Sequence, residues 1–467
     1  MIFSTYSFLL FFLPAVLILY FALNSMGFNR IGKWTLVFAS FFFYWYGSHS
    51  FLIYFIASVL FNYVSGFVLG KMHNRGINKN YTVIFLVFAI LANVIFLGYF
   101  KYLDFLFENI NLVIGNKLEL PHIILPIGIS FYTFQLIAYV VDSYRGLTND
   151  YDFLDYLLFI AFFPQLIVGP IVHHKDTVPQ FENKANQKIN FDNISVGLFL
   201  FMLGAVKKLY LADPLTEWSQ AAFNHVENMG MFNAWMNSVS YTISYYFDLS
   251  AYADMAIGTG RMFNIIIPIN FNSPYKARNF ADYWRRWHIT LSNFLGDYIF
   301  RGIFKKGDKS HKFYLGIFIT FLVSGMWHGA GWNFIVWGII NGLFVMSAHF
   351  MKRKGWQFPL IIAWALTFLG AVLMRILFVS TKLSDALKVF ITLVDINKFD
   401  FITVLKGNKH QILLCIIGFI ITVALPNSNQ IAEKFKTNYK FLAITIVLIV
   451  AALLSMNKVG PFLYFQF

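Results

Sequence analysis

The chain reads as an all-α polytopic membrane protein, and three observations carry that reading. It is 58% hydrophobic and only 12% charged, whereas soluble chains are about half apolar and about a quarter charged. Its mean hydropathy is +0.62. Its apolar residues also come in runs that match the ~20 residues a helix needs to cross a bilayer, such as "TVIFLVFAILANVIFLGYF" at 82–100 and "FLAITIVLIVAALLSM" at 441–456.

Taken in order, the pattern predicts helices at roughly 6–23, 34–46, 51–70, 81–100, 122–141, 194–212, 235–250, 313–327, 332–350, 357–379, 411–426 and 441–457. The first, "YSFLLFFLPAVLILYFAL", has no basic region before it and no small-residue cleavage site, so it is expected to be retained. Two stretches break the pattern. "HIILPIGISFYTFQ" at 122–135 holds Pro126 and Gly128, and "FIAFFPQLIVGPIV" at 159–172 holds Pro164, Gly169 and Pro170. Irregular backbone at membrane depth is tolerated only where protein or a wet cavity surrounds it, so both are expected as broken or re-entrant segments. No repeat and no soluble domain is visible, and 1–467 reads as one membrane-embedded unit.

The formal charge of +14 does not point to nucleic acid, because the basic residues form short clusters between apolar runs and not one patch. Under the positive-inside rule the loops carrying Arg30/Lys33, Lys71/Arg75/Lys79, Arg301–Lys312 and Lys352/Arg353/Lys354 are expected to be cytoplasmic. The stretch 213–234, with Asp213, Glu217 and Glu227 and no Lys or Arg, is expected as an outer loop. These assignments put both termini on the outer face. The single Cys415 sits in an apolar run, which excludes a disulfide framework and a thiolate metal site.

The most polar interior segment is 270–312, which contains "YWRRWH" at 283–288. Arg binds phosphate bidentately and stacks on flat rings, so Arg285, Arg286, Trp284 and Lys276 suit a phosphate-rich donor such as coenzyme A. An interfacial helix gripping lipid headgroups would show the same residues. The second feature is "FLVSGMWHGAGWNFIVWG" at 321–338. Here His328 lies between two apolar runs whose outer ends are cytoplasmic, and its neighbour Trp327 is the fifth residue expected to bind the donor. An ionisable group at that depth is costly and marks a functional site by default, and imidazole is a natural base near neutral pH. A buried His bonded to a backbone carbonyl is the plainer reading. The remaining histidines give no ligand spacing, since the adjacent His173 and His174 would diverge on a helix, and no metal site is expected. Nucleophile-elbow, phosphate-loop and dinucleotide motifs are missing from the sequence.

"FNSPYKARNFADYWRRWH" followed by "SGMWHGAGWNF" resembles the membrane-bound O-acyltransferase (MBOAT) family, in its alginate and peptidoglycan O-acetyltransferase membrane-subunit branch. "LPIGISFYTFQ", "FFPQLIVGPIV", "GAVKKLYLAD" and "YYFDLSAYADMAIG" extend the likeness along the chain. "FRGIFKKGDKSHK" departs from the "PLGG"-like turn of that branch. The resemblance implies an MBOAT-type funnel of about 11–13 helices with re-entrant segments and a central tunnel, in a bacterial inner membrane. It maps the family's membrane histidine onto His328 and a second polar position onto His288. It implies acetyl-CoA as donor, with no permanently bound cofactor, and a periplasmic SGNH-type O-acetyltransferase as partner. A related D-alanyl transferase system uses a small partner with an acyl-accepting Tyr in a C-terminal aromatic motif, and "GPFLYFQF" at 460–467 looks like that motif fused to the chain.

Tyr464 would then carry the acyl group. A phenol with a pKa of ~10 is unreactive alone, so a neighbouring histidine must take its proton. The alternative is an interfacial aromatic anchor. For the whole chain the alternatives are a D-alanyl transferase fed by an acyl carrier protein, a lipid O-acyltransferase, and a non-catalytic transporter. The last usually carries internal repeats. The excess of Lys over Arg, with abundant Ile, Phe and Asn, suggests an AT-rich genome and favours peptidoglycan over alginate as the final acceptor.

Overall fold

The computed structural model describes residues 2–115, 117–148, 151–458, 460 and 462–463. Among these residues the chain is helical and has no strand. Seven helices are long and apolar enough to cross a membrane: Ser7–Ser25, His49–Asn74, Lys79–Ile114, Phe191–Phe223, Trp332–Lys354, Leu360–Val379 and Tyr439–Lys458. A further pair, Ile396–Gly407 and Lys409–Ala424, is bent by 93°. Helices close every backbone hydrogen bond within the segment, which lipid demands. The expected all-α polytopic class is therefore the observed one. The described residues form two compact units, Met1–Phe201 with Met255–Pro268, and Met202–Asp254 with Ile269–Phe467.

In the first unit the helix Lys79–Ile114 overruns its expected end at residue 100. The charges beginning at Lys101 do not stop it, because charged side chains are good helix formers. They are used instead. Lys101 donates to Ser130 Oγ at 3.3 Å, and Asp104 accepts from the Ile123 amide at 3.2 Å. Only Gly115, left-handed at φ 82°, ends the helix. Residues 122–128 are not helical, and Gly128 (φ 76°) opens the helix Ile129–Tyr144. The 159–172 stretch is broken as expected. Phe153–Ala161 ends, Phe163–Leu166 makes one turn, and irregular backbone follows, all of it buried. Two of its polar groups find partners: Ser40 Oγ accepts from the Phe163 amide at 3.0 Å, and Gln165 donates to the Phe159 carbonyl at 2.7 Å.

In the second unit the helix Met231–Met262 supplies buried residues up to Asp254, and Ser310–His328 turns through a short loop into Trp332–Lys354. The expected outer loop at 213–234 is a correction. Its first half is the helix Asp213–Phe223, with proline in the first turn where no amide is needed. A π-helical stretch, Lys208–Ala212, joins it to the preceding helix. The 270–312 segment contains the short helices Phe280–Arg286 and Ile289–Leu295.

Candidate active site

His288 and His328 meet in the second unit, 40 residues apart in sequence but with ring centroids 6.5 Å apart and both side chains buried. Their placement has separate causes. His288 sits between two short helices in a left-handed conformation (φ 46°, ψ 51°). A non-glycine residue in that region is uncommon and is held by its surroundings. The Ile289 amide donates to the Asn270 carbonyl at 2.9 Å, the Asn272 amide to the Arg286 carbonyl at 2.9 Å, and Thr290 Oγ1 to Asn270 Oδ1 at 2.9 Å. His328 is the last residue of Ser310–His328. Its helix lies against the next one because glycines face each other. A Cβ on Gly325 would strike the Phe334 carbonyl, and one on Gly338 would sit 2.6 Å from the Phe321 carbonyl.

Indoles and one phenyl ring wall the pair. Trp327, Trp337 and Phe378 lie 4.8, 5.0 and 5.2 Å from the His328 ring, and Trp327 lies 6.0 Å from His288. Burial, with a smaller push from the Arg375 guanidinium, drives the His288 pKa down to about 3. His288 is therefore a neutral imidazole at physiological pH.

A cavity of about 1150 Å³ opens beside this pair. Its exposed wall carries Arg278, Arg285 and Lys352, and its buried wall carries Trp284, Ser324 and Thr367. Ser324 is one helical turn before His328, and the Trp284 ring lies 5.7 Å from Trp337. The cavity thus runs from a cationic rim to within a turn of the histidines. Two of the five expected donor-binding residues, Trp284 and Arg285, line it. The other three are elsewhere. Trp327 packs directly on both histidines. Lys276 donates to the Leu425 carbonyl at 2.7 Å. Arg286 pairs with Asp282 at 3.1 Å, an i,i+4 contact on one face of its helix. Arg278 and Lys352 take their place at the rim.

Tyr464 lies outside the described residues, but the approach to it is described. Phe462 and Leu463 are buried, and the Leu463 amide donates to Asp248 Oδ2 at 3.0 Å. Lys208 bridges Asp248 and Asp213 at 2.6 Å each and lies 4.3 Å over the Phe462 ring. Asp213 in turn accepts from the Gly460 amide at 3.1 Å.

Two placements were not read from the sequence. One is Arg375, buried among Tyr245, Tyr283, Trp287 and Phe378. A lone arginine inside "LIIAWALTFLGAVLMRILFV" was the available signal, since a charge inside an apolar span is seldom idle. The other is in the first unit, where the expected divergence of His173 and His174 is corrected. His173 precedes the helix His174–Glu182 in extended conformation, so helical spacing does not separate the rings. Both Nε2 atoms reach Asp142 Oδ2, at 2.8 and 3.2 Å. The three ligand-type atoms lie within 4.8 Å of one another. Yet His173 Nδ1 accepts from the Lys175 amide at 3.4 Å, which puts the neutral ring's proton on Nε2, facing the carboxylate. The arrangement is a hydrogen-bonded hub centred on Asp142.

With the geometry in place, the comparisons with known proteins assign the class. A model described as MBOAT, membrane-bound O-acyltransferase family, matches residues 126–380. The chain belongs to that family and is a multi-pass membrane-bound O-acyltransferase. It is similar to the peptidoglycan O-acetyltransferase of Helicobacter pylori, with 37% identity over 100% of this chain and 98% of the relative. It is 35% identical to a probable alginate O-acetylase of Pseudomonas aeruginosa over 84% of this chain and 74% of the relative. A teichoic acid D-alanyltransferase of Bacillus subtilis is 28% identical over 50% of this chain and 61% of the relative.

Proposed function

We propose that the protein transfers acetyl from cytoplasmic acetyl-CoA, across a bacterial inner membrane, to an acceptor on the outer face, where both termini lie. The observation that carries this reading is the buried His288–His328 pair lying within a helical turn of the inner wall of a cation-rimmed cavity. Arg278, Arg285 and Lys352 suit the phosphates of coenzyme A, and the apolar depth of the cavity suits the pantetheine arm. His328 takes the proton of an attacking hydroxyl. That oxygen bonds to the thioester carbon, the carbon–sulfur bond breaks, and the thiolate leaves with the proton returned by the imidazolium. His288, neutral and set against the Trp327 indole, orients the donor.

Tyr464 is the first acceptor in this scheme. The anchoring of Leu463 by Asp248 supports it. Asp248 is one helical turn beyond Tyr245, which stacks on Trp287 next to His288. From the phenyl ester the acetyl passes to a periplasmic SGNH-type O-acetyltransferase and then to a cell-wall polysaccharide. Peptidoglycan is favoured, given the full-length likeness to a peptidoglycan O-acetyltransferase. A D-alanyl donor on a carrier protein is the second reading, and it rests on a relative matched over only half of this chain.

Purified protein incubated with isotope-labelled acetyl-CoA, followed by mass spectrometry of the C-terminal peptide, tests the scheme. Label on Tyr464 is expected in wild type and in neither Tyr464→Phe nor His328→Ala. Turnover of acetyl-CoA with Tyr464 unlabelled would remove the relay. No turnover would remove acetyl-CoA as the donor.

A further inference from the structure

Arg375 lies in the span Leu360–Val379 with 3% of its surface exposed. Its Nη2 donates to the Tyr283 hydroxyl at 3.0 Å, and its guanidinium lies 4.2 Å over Trp287, 4.3 Å over Tyr245 and 5.7 Å from Phe378. Nearby acids in this unit are engaged elsewhere. Asp213 and Asp248 pair with Lys208, Asp254 with Lys207, and Asp282 with Arg285 and Arg286. A guanidinium left in an apolar span with only rings and the phenol hydroxyls of Tyr283 and Tyr275 around it is costly. Ring faces return part of that cost. They do not use its Nε–H, which is buried and has no acceptor among the described residues.

Two more donors share that condition, the indole N–H groups of Trp337 and Trp284. All three stand around the histidine pair. Trp287 under the guanidinium precedes His288 in the chain, Phe378 touches both Arg375 and His328, and Trp337 lies 5.0 Å from His328. Three buried, unsatisfied donors grouped around one histidine pair make a place for an acceptor that is present only part of the time, and a cation among them favours a negative one.

We propose that Arg375, with the indole N–H of Trp337, binds the oxyanion formed when the thioester is attacked. When the nucleophile's oxygen bonds to the carbonyl carbon, the C=O π pair becomes a full negative charge on oxygen. Arg375 meets that charge, and collapse of the intermediate returns it to the carbonyl as the carbon–sulfur bond breaks. The inference rests on the acyl-transfer reading but assigns a group that reading did not require. It makes Arg375 a catalytic residue that stabilises charge, with the histidines moving the proton.

The experiment uses Arg375→Met, which fills the aromatic cage with an apolar chain, and Arg375→Ala, which leaves a cavity. Both are purified in detergent, melted, and assayed for acetyl-CoA cleavage. Loss of one oxyanion donor costs on the order of 10²–10³ in kcat, with KM changed by less than about threefold because ground-state binding is untouched. The Arg375→Met protein is expected to melt at or above the wild-type temperature, since an apolar replacement of a buried charge is neutral or stabilising. Methylguanidinium is expected to restore Arg375→Ala by at least about tenfold, and uncharged methylurea is not. A clear fall in Tm for Arg375→Met, unchanged kcat, or equal restoration by methylurea would overturn the proposal. If wild type itself fails to cleave acetyl-CoA, the donor assignment falls, and the melting comparison alone decides whether Arg375 is structural.

Discussion

Asp248→Ala is the substitution whose effect can be worked most directly from the geometry around the C-terminal segment. The carboxylate accepts from the Leu463 amide at 3.0 Å and pairs with Lys208 at 2.6 Å. Removing it does not strand the lysine, because Asp213 holds the same ammonium at 2.6 Å. The global cost is therefore well below the ~3–5 kcal/mol of orphaning a buried ion. Locally the loss is a charge-assisted hydrogen bond on a buried amide, about 1.5–3 kcal/mol. At 1.36 kcal/mol per decade, Leu463 should exchange its amide hydrogen roughly 10–150-fold faster. Hydrogen–deuterium exchange with mass spectrometry of the terminal peptide reads this, and Asp213→Ala serves as the comparison that leaves the Leu463 bond intact. Exchange at Leu463 within about threefold of wild type, in a protein that still melts cooperatively, would refute the reasoning.

Two further outcomes follow from the site. Gly325→Ala should lower turnover by at least about 100-fold, because the added carbon meets the Phe334 carbonyl and must shift His328; a steady-state assay on folded protein checks it. The pH dependence of stability has a definite sign at His288, which lies outside the seven spans. Its folded pKa is pushed down to about 3 by burial, so below the unfolded value of ~6.5 the unfolded chain binds the extra proton and stability falls with falling pH. Thermal melts should show wild type losing about 1–2 kcal/mol more than His288→Asn between pH 6.5 and pH 5, and equal slopes would contradict the assignment.

Much of this architecture is legible in the sequence because its cause is local. Apolar runs of bilayer length, Pro126 and Gly128 in one broken segment, and Pro164, Gly169 and Pro170 in the other, act within a few residues of themselves. The ends of Lys79–Ile114 were not legible. Lys101 and Asp104 are satisfied by Ser130 and the Ile123 amide, partners that the sequence does not announce. His288 and His328 stand out through their motifs. Arg375 does not, because its meaning depends on four rings drawn from three separate helices and the turn that follows one of them. Arg286 shows the converse: its i,i+4 partner Asp282 was in plain view, and that local pairing accounts for a charge first read as donor-binding.

The indoles around His328 have an optical consequence. An imidazolium is a strong quencher of tryptophan emission, and Trp327 and Trp337 lie 4.8 and 5.0 Å from that ring. In the proposed mechanism, each proton that His328 takes is sensed by two fluorophores at contact distance. The enzyme therefore carries its own reporter. Rapid mixing with donor, followed at tryptophan wavelengths, can time the proton's stay on His328 without an added dye.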